Sequence, residues 1–478
     1  MMDIIRREKI EDKATCVFLV DKELDFANFG LTREEVTYLE GAIDRDQRLI
    51  FYNRMSHWLV FLFPDPKKTG ASLRESFRLD GAEITQWANK NKLNKILLED
   101  HTGNTSRLIS VGEGIALSNY QFLKYFKDAS KKQNSLSELV IIHSSDQLIS
   151  ELRIIVQSVY ITRDLINEPL STLTAPHLAD EIKSLGELTG FQVEIFDKAR
   201  IESLKMGGLL AVNRGSVDPP RFCILSHEPE KAVNKKTLVL VGKGIVYDTG
   251  GLSLKPTANS MDYMKSDMSG AAAVVGLIYA LSSLNWPVNV VGLIPATDNR
   301  PDGNAYVPGD IVEMHNGLFV EVMNTDAEGR MVLADALSYA DKYNPDLVID
   351  LATLTGSAAV AVGSIGSVAM GTVDSSIFDN LREAGDLSYE RVVEFPLWEE
   401  YGKMLESENA DLKNIGGREA GAITAGKFLE RFTSFPWIHL DIAGPAFIQS
   451  GDGYRTPGGT GTGVRMLLEF IRRNYLVE

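Results

Sequence analysis

The junction between a predicted strand and a predicted helix reads Asn324-Thr325-Asp326-Ala327-Glu328-Gly329-Arg330. An apolar, β-branched run at 320–323 precedes it, and apolar residues recur at helical spacing from Val332 to Ala340. Asp326 and Glu328 are two residues apart, so extended backbone points both carboxylates to the same side. Such oxygen donors suit hard divalent cations. An acidic loop before a helix N-terminus is the structural alternative, and this stretch alone leaves both open.

A second cluster of charged residues favours a binding site. The buried-type run at 239–241 leads into a glycine-rich loop that contains Lys243, Asp248 and Lys255. Glycines allow this backbone to turn tightly and to approach a bound ion or substrate. About a dozen residues further on, Asp267 stands where a helix of small residues begins. Such a helix packs close to its neighbour, so we expect Asp267 to be held rigidly.

These motifs together resemble the leucine aminopeptidase family, also called the cytosol aminopeptidases, whose signature is the heptapeptide at 324–330. The similarity extends from about residue 163 to the C-terminus. It includes Asn414-Ile415-Gly416-Gly417-Arg418 and Gly459-Thr460-Gly461-Thr462-Gly463-Val464-Arg465. Several independent motifs in the same order make a chance match improbable.

The resemblance implies a site for two divalent metal ions, zinc or manganese, with magnesium or cobalt as alternatives. Its five ligand positions match Lys243, Asp248, Asp267, Asp326 and Glu328, with Asp248 and Glu328 bridging both ions. Four carboxylates roughly cancel two divalent charges. The amine of Lys243 must be neutral to bind, so adjoining cations would have to lower its pKa far below the usual value.

Two cationic residues match the family positions that flank the scissile bond. Lys255 would remain charged and stabilise the negative charge that develops on the carbonyl oxygen. Arg330 would hold a bicarbonate ion that serves as general base, which explains why the family needs no catalytic histidine.

The resemblance also indicates an apolar substrate pocket. Leu354 and Met264 could equally be ordinary core residues. The expected pocket residues are Met264, Asn324, Thr353, Leu354, Gly356, Ala443 and Ala446.

Three other residues have structural interpretations. Lys265, next to Asp267, is interpreted as a solvated side chain at a helix start. His439 lies in an apolar run and is interpreted as a core histidine rather than a ligand. Lys427 has the spacing of a phosphate-binding loop, but Phe428 stands where a metal-binding hydroxyl is required, so we exclude a nucleotide site there.

Composition limits the classes of function. The 478 residues allow two globular domains, and a net charge of −16 argues against a nucleic-acid or anionic-membrane surface. Two cysteines, Cys16 and Cys223, are too few for a disulfide framework and fit a reducing compartment. No signal-peptide pattern and no apolar run of membrane-spanning length occurs. We therefore expect a cytoplasmic protein without membrane partners.

Hydrophobic periodicity predicts two α/β domains. Residues 1–145 form a smaller N-terminal domain of unassigned role, and residues 146–478 form a larger domain that begins with a linker helix at about 146–168. The resemblance implies that this larger domain is the dimetal catalytic domain. In the larger domain, strands alternate with helices in the pattern of a central mixed sheet covered by helices, a zinc-exopeptidase-like fold by resemblance. The predicted strands lie at 58–63, 95–98, 139–143, 191–196, 238–241, 288–294, 347–351 and 438–442.

The resemblance implies a metal-dependent aminopeptidase that releases N-terminal residues, preferably Leu or similar apolar residues, from peptides with a free N-terminus. Water activated by two metals would attack the peptide bond. Relatives form homohexamers whose active sites face an interior cavity, and we expect the same assembly. Two alternatives stay open: a specialised dipeptidase of the same fold, and a non-catalytic hexameric binding or regulatory protein.

Overall fold

The computed structural model describes residues 2–11, 13–23 and 26–476. The chain divides into two compact units. The first comprises Met1–Gln157 and Ser450–Thr456, and the second comprises Ser158–Gln449 and Pro457–Glu478. The division falls within one long helix, Asp146–Asn167. The domain boundary at residue 145 stays a prediction.

The first unit is built on a six-stranded sheet whose strands are all parallel except for one antiparallel pair, β3 with β4. The strand order is β1-β6-β5-β2-β4-β3. Its strands are β1 (Asp3–Arg7), β2 (Cys16–Leu19), β3 (Leu49–Asn53), β4 (Trp58–Leu62), β5 (Lys95–Asp100) and β6 (Glu138–Ile142). Its helices are α1 (Arg33–Asp44), α2 (Gly70–Lys90), α3 (Thr105–Ser118) and α4 (Ala129–Lys132), followed by α5 (Asp146–Asn167), which continues into the second unit.

The second unit contains the remaining strands and helices. Its strands are β7 (Gln192–Phe196), β8 (Arg221–His227), β9 (Leu238–Gly242), β10 (Gly244–Asp248), β11 (Val290–Asn299), β12 (Ile311–Glu313), β13 (Phe319–Glu321), β14 (Leu347–Ala352), β15 (Gly366–Gly371), β16 (Arg391–Glu394), β17 (Leu412–Lys413), β18 (Trp437–Asp441), β19 (Phe447–Ile448) and β20 (Gly458–Gly459). Its helices are α6 (Ala175–Thr189), α7 (Lys198–Ser203), α8 (Gly207–Asn213), α9 (Ser269–Ser283), α10 (Glu328–Ala340), α11 (Gly356–Val362), α12 (Ser375–Ser388), α13 (Glu399–Lys403), α14 (Gly421–Glu430) and α15 (Val464–Ile471), with a 3₁₀ turn at Met261–Met268 before α9.

A nine-stranded mixed sheet forms the centre of the second unit. Eight strands follow the order β16-β15-β18-β14-β9-β11-β8-β7, and β10 also pairs with β11. The central strands β18, β14, β9 and β11 are parallel, so their carboxyl ends meet at one edge. That edge is where open α/β sheets place their sites.

Helices cover both faces of this sheet. On one face, α8, α10 and α14 pack over a large apolar core that includes Val239, Val241 and Trp437. On the other face, α9 packs so closely that a Cβ added at Gly292 would lie 2.6 Å from Ile278 Cδ1. The predicted α/β sheet with helices on both faces is confirmed. No helix within the described residues is long and apolar enough to span a membrane.

Candidate metal centre

The ends of two central strands carry the first elements of the site. Lys243 directly follows β9, and Thr353 directly follows β14. The strand β10, which pairs with β11, ends at Asp248. Since β9 and β14 are parallel neighbours, Lys243 and Thr353 lie side by side at the carboxyl edge.

Small residues let α9 lie directly on these strand ends. A Cβ added at Gly270 would lie 2.0 Å from Leu351 O, and one added at Gly242 would lie 2.6 Å from Ala271 Cα. Backbone hydrogen bonds fix the contact, because Ala271 N donates to Lys243 O at 3.0 Å and Lys243 N donates to Leu351 O at 3.0 Å. This close approach places Asp267, at the end of the 3₁₀ turn, against the Lys243 side chain.

The Lys243 ammonium is buried among oxygen atoms. Its Nζ lies 2.8 Å from Asp267 Oδ1, 3.0 Å from Glu328 Oε1 and 3.0 Å from Thr353 O. Burial lowers the pKa of Lys243, but the charges of Asp267 and Glu328 outweigh burial and raise it overall. The lowered pKa that metal binding requires is therefore not produced by the protein groups, and a neutral amine here needs metal cations that outweigh these carboxylates.

Lys255 joins the other two carboxylates. Its Nζ lies 2.8 Å from Asp248 Oδ2 and forms a second ion pair with Asp326 Oδ1. The loop that carries it turns through Gly250 and Gly251, both with positive φ, and Lys255 N donates to Thr249 O at 2.9 Å. The charges of Asp248 and Glu328 raise the pKa of Lys255 although burial lowers it, so this side chain is a cation at neutral pH.

Three carboxylates converge closely enough to share a metal ion. Asp248, Asp326 and Glu328 each offer one oxygen, and these oxygens lie within 4.8 Å of one another. Burial and the charge of Asp248 raise the pKa of Glu328 to about 8, and burial raises that of Asp267 to about 6 although Lys243 lowers it. Among the described residues, none forms a hydrogen bond with the buried Glu328 Oε2. Hard, crowded oxygen donors of this kind fit divalent cations.

The signature loop is held by reciprocal hydrogen bonds to the Lys255 loop. Ser253 N donates to Thr325 Oγ1 at 2.8 Å, and Thr325 N donates to Ser253 Oγ at 3.1 Å. Tyr306 Oη donates to Thr325 O at 2.9 Å. These bonds fix Asp326 relative to Lys255, and α10 then begins at Glu328.

Comparisons with known proteins identify the family of this chain. A model of the cytosol aminopeptidase family, catalytic domain, matches residues 160–468. The chain is 46% identical over 411 residues to a probable cytosol aminopeptidase of Chlorobaculum tepidum, covering 82% of this chain and 79% of that protein. The chain belongs to the cytosol aminopeptidase family. A second family member, from Geobacter sulfurreducens, is 44% identical over 370 residues, which cover 76% of this chain and 74% of the relative.

Solved structures confirm the fold of this cytosol aminopeptidase family member. A tomato leucine aminopeptidase mutant matches with a TM-score of 0.86 and 26% identity, covering 99% of this chain and 97% of the other. The bottromycin maturation enzyme BotP in complex with Mn matches with a TM-score of 0.85 and 30% identity, covering 96% and 99%. The family resemblance, the α/β fold class and the assignment as a peptide hydrolase are therefore confirmed.

Arg330 and several of the expected pocket residues form hydrogen bonds around the centre. Arg330 Nη1 donates to Asn414 O at 2.7 Å, and burial lowers the pKa of Arg330 to about 10. Thr353 Oγ1 donates to Asp267 Oδ1 at 2.7 Å, whereas the Asn324 amide oxygen accepts from Asp326 N at 2.8 Å and so shapes the signature turn. Asp441 accepts from the backbone N–H groups of both Leu354 and Ala443, each at 3.1 Å.

The remaining expected pocket residues differ in burial. Ala446 is buried, Met264 is half-buried in the 3₁₀ turn, and Gly356 is exposed at the start of α11. Leu354 packs partly against the large core, so it contributes to packing as well as to the loop after β14. The role of these residues in substrate binding stays a prediction.

The structure changes one structural interpretation and supports another. Lys265 is half-buried rather than solvated, and its Nζ donates to Asn167 O at 2.6 Å, because the 3₁₀ turn directs it toward the end of α5. His439 is fully buried in β18 with Nδ1 2.6 Å from Asp350 Oδ1, as expected for a core histidine.

Sequence reasoning missed Asp441 and Asn299, two buried residues of the cytosol aminopeptidase centre. Both end apolar strands, β18 and β11, at the carboxyl edge. A polar residue at the end of a central strand was the available signal. Motif spacing does not reveal such residues, because their hydrogen-bond partners lie far away in the sequence.

Proposed function

We propose that the second unit is a metal-dependent aminopeptidase domain that hydrolyses the N-terminal peptide bond of peptides, preferring Leu or similar apolar residues, in the cytoplasm. The observation that carries this proposal is the convergence of Asp248, Asp326 and Glu328 within 4.8 Å, between two lysines, in a chain of this family. Family membership supports the reaction class, and the site supports its dependence on metal.

Two divalent ions, zinc or manganese, with magnesium or cobalt as alternatives, would be held by Lys243, Asp248, Asp267, Asp326 and Glu328. When bound, they would polarise the scissile carbonyl and lower the pKa of the attacking water. Two ammonium groups face four carboxylates here, so the protein groups alone leave an excess of negative charge that cations would balance.

Lys255 would stabilise the transition state. Its ammonium stays charged beside Asp248 and Asp326, and its backbone is fixed by Thr249. A fixed cation interacts more strongly with the tetrahedral oxyanion than with the neutral substrate carbonyl, so it lowers the barrier more than it improves binding.

Arg330 would bind an anion, and bicarbonate acting as general base is the one the family implies. The side chain is nine-tenths buried, and Nη1 is anchored on Asn414 O. Its Nε is buried and forms no hydrogen bond with any residue that the structure describes. A pKa of about 10 keeps the guanidinium charged at neutral pH.

The substrate preference would come from the loops after β14 and β18. Leu354 and Ala443 share the buried carboxylate of Asp441, which holds these two loops in a fixed relation. Apolar side chains on fixed loops can favour a Leu side chain over a smaller or charged one by burial of apolar area.

The test compares leucyl amide with N-acetyl leucyl amide on the manganese-loaded chain. The acetylated compound keeps the side chain and the scissile bond but lacks the free amine that sets the register of the substrate. We expect kcat/KM for it to be at least about 10³-fold lower. Similar values for both compounds, or full activity after chelation confirmed by elemental analysis, would overturn the proposal.

A further inference from the structure

Asn299 lies opposite Asp248 on the neighbouring strand. It ends β11, a strand buried along its whole length, and is 1% exposed. β10 and β11 are parallel, and their register pairs Asp248 with Asn299 after an irregularity that begins at Ile245. Hydrogen bonds from Thr249 also hold the Asn299 backbone, because Asn299 O accepts from Thr249 N at 3.0 Å and from Thr249 Oγ1 at 2.8 Å.

The Asn299 amide donates to two loops of the centre. Its Nδ2 donates to Asp248 Oδ1 at 2.8 Å and to Thr325 O at 3.0 Å. Both partners are acceptors, so the amide nitrogen must face them, since an oxygen there would be repelled by both. Thr325 directly precedes Asp326, and one amide therefore connects the backbone beside one carboxylate with the side chain of another.

These bonds distinguish the two oxygens of Asp248. Oδ1 accepts from Asn299 Nδ2 and also from Gly250 N, each at 2.8 Å. Oδ2 is the oxygen that faces the Lys255 ammonium, 2.8 Å away. Two N–H donors on one oxygen hold the carboxylate in a single orientation and leave Oδ2 directed at the cationic side of the centre.

We propose that Asn299 is a positioning residue that orients Asp248 for metal binding and holds it in register with Asp326. The proposal rests on the proposed function, because it assigns Asn299 a role toward the metals. Hydrogen-bond partners that orient metal ligands typically change metal affinity by about 10–100-fold when they are removed.

The test measures Mn²⁺ binding to the full-length, chelated chain by isothermal titration calorimetry. Asn299→Leu keeps the approximate size of the side chain without a donor or a charge. The matched control is Asn213→Leu, since Asn213 is another buried asparagine whose amide donates to Asp218 O and Thr297 Oγ1. If Asn299→Leu fails to fold, the Kd for Mn²⁺ is measured with Asn299→Ser instead.

We expect the Kd for Mn²⁺ to rise about 10–100-fold in the Asn299 variant and to stay unchanged in the Asn213 control. Activity should reach half-maximum at a correspondingly higher Mn²⁺ concentration, while KM for leucyl amide at saturating Mn²⁺ stays the same. A purely structural role would reduce the active fraction without this shift. Unchanged Mn²⁺ affinity in the Asn299 variant, or an equal loss in the control, would overturn the inference. Failure of the unsubstituted chain to bind Mn²⁺ would instead overturn the proposed function.

Discussion

Lys255 is the residue at which charge should matter most for turnover. Its ammonium contacts Asp248 and Asp326 and is fixed as a cation. In Lys255→Ala we expect kcat to fall by roughly 10²–10³ with little change in KM, because the lost interaction forms mainly with the oxyanion. Steady-state kinetics on leucyl amide at saturating Mn²⁺ measure both parameters.

Lys427→Ala is the matched control for the removal of a buried lysine. Lys427 is 3% exposed and pairs with Glu399 at 3.0 Å and with Glu430, all outside the centre. Its loss should lower stability and leave kcat near the original value. An effect of Lys255→Ala confined to KM would make Lys255 a residue that binds the ground state.

Gly329, at the start of α10, has no room for a larger side chain. A Cβ added at Gly329 would lie 2.4 Å from Lys243 Cε and 2.7 Å from its Nζ. We expect Gly329→Ala to displace the Lys243 amine from Asp267 and Glu328, and so to weaken Mn²⁺ binding by about tenfold or more. Calorimetric titration of the chelated variant measures this loss.

The helix control is Gly41→Ala in α1. A Cβ added there would lie 3.6 Å from Arg45 Nη1, an ordinary van der Waals contact. Alanine in an unobstructed helix position stabilises by about 0.5–1 kcal/mol, so the melting temperature should rise and Mn²⁺ affinity should not change. Equal Mn²⁺ affinity in both variants would contradict the proposed role of Lys243.

Local patterns predicted the elements better than their contacts. Each of the eight predicted strands overlaps an observed one, and the helix predicted at 146–168 is observed at Asp146–Asn167. The loop after β9 differs, since residues 244–248 form β10 by pairing with β11, whose residues lie some fifty positions later. Burial periodicity is a local signal, whereas such pairing depends on tertiary contacts.

For the site as well, the sequence predicted the residues better than the contacts between them. The sequence placed Lys243, Asp248, Asp326 and Glu328 in two motifs, and the structure brings the two motifs together. The sequence did not predict the hydrogen bond from Asn299 to Asp248 or the one from Leu354 to Asp441, because each bond joins residues far apart in the chain. Long-range hydrogen bonds of single polar residues leave no periodic pattern to detect.

At the scale of the whole molecule, we propose that the chain assembles as a homohexamer whose catalytic units make the central contacts. Large apolar side chains of the second unit are exposed on the single chain, including Val360 at 89%, Trp398 at 62% and Leu254 at 61%. Apolar residues scattered singly over a surface are ordinary, so this prediction rests on the family resemblance. Light scattering of the active enzyme should give six times the 52.7 kDa chain mass, and a monomer mass for fully active enzyme would refute the assembly.

The backbone contact between α9 and the ends of β9 and β14 limits how this enzyme can be engineered. Gly242 and Gly270 leave no side chain whose size could be adjusted, so the backbone separation between α9 and the ends of β9 and β14 is set by main-chain van der Waals radii. Exchanging side chains elsewhere can displace the Lys243 amine, but it cannot widen or narrow that backbone separation in small steps. A redesign for a larger ion would have to translate the whole helix relative to the sheet.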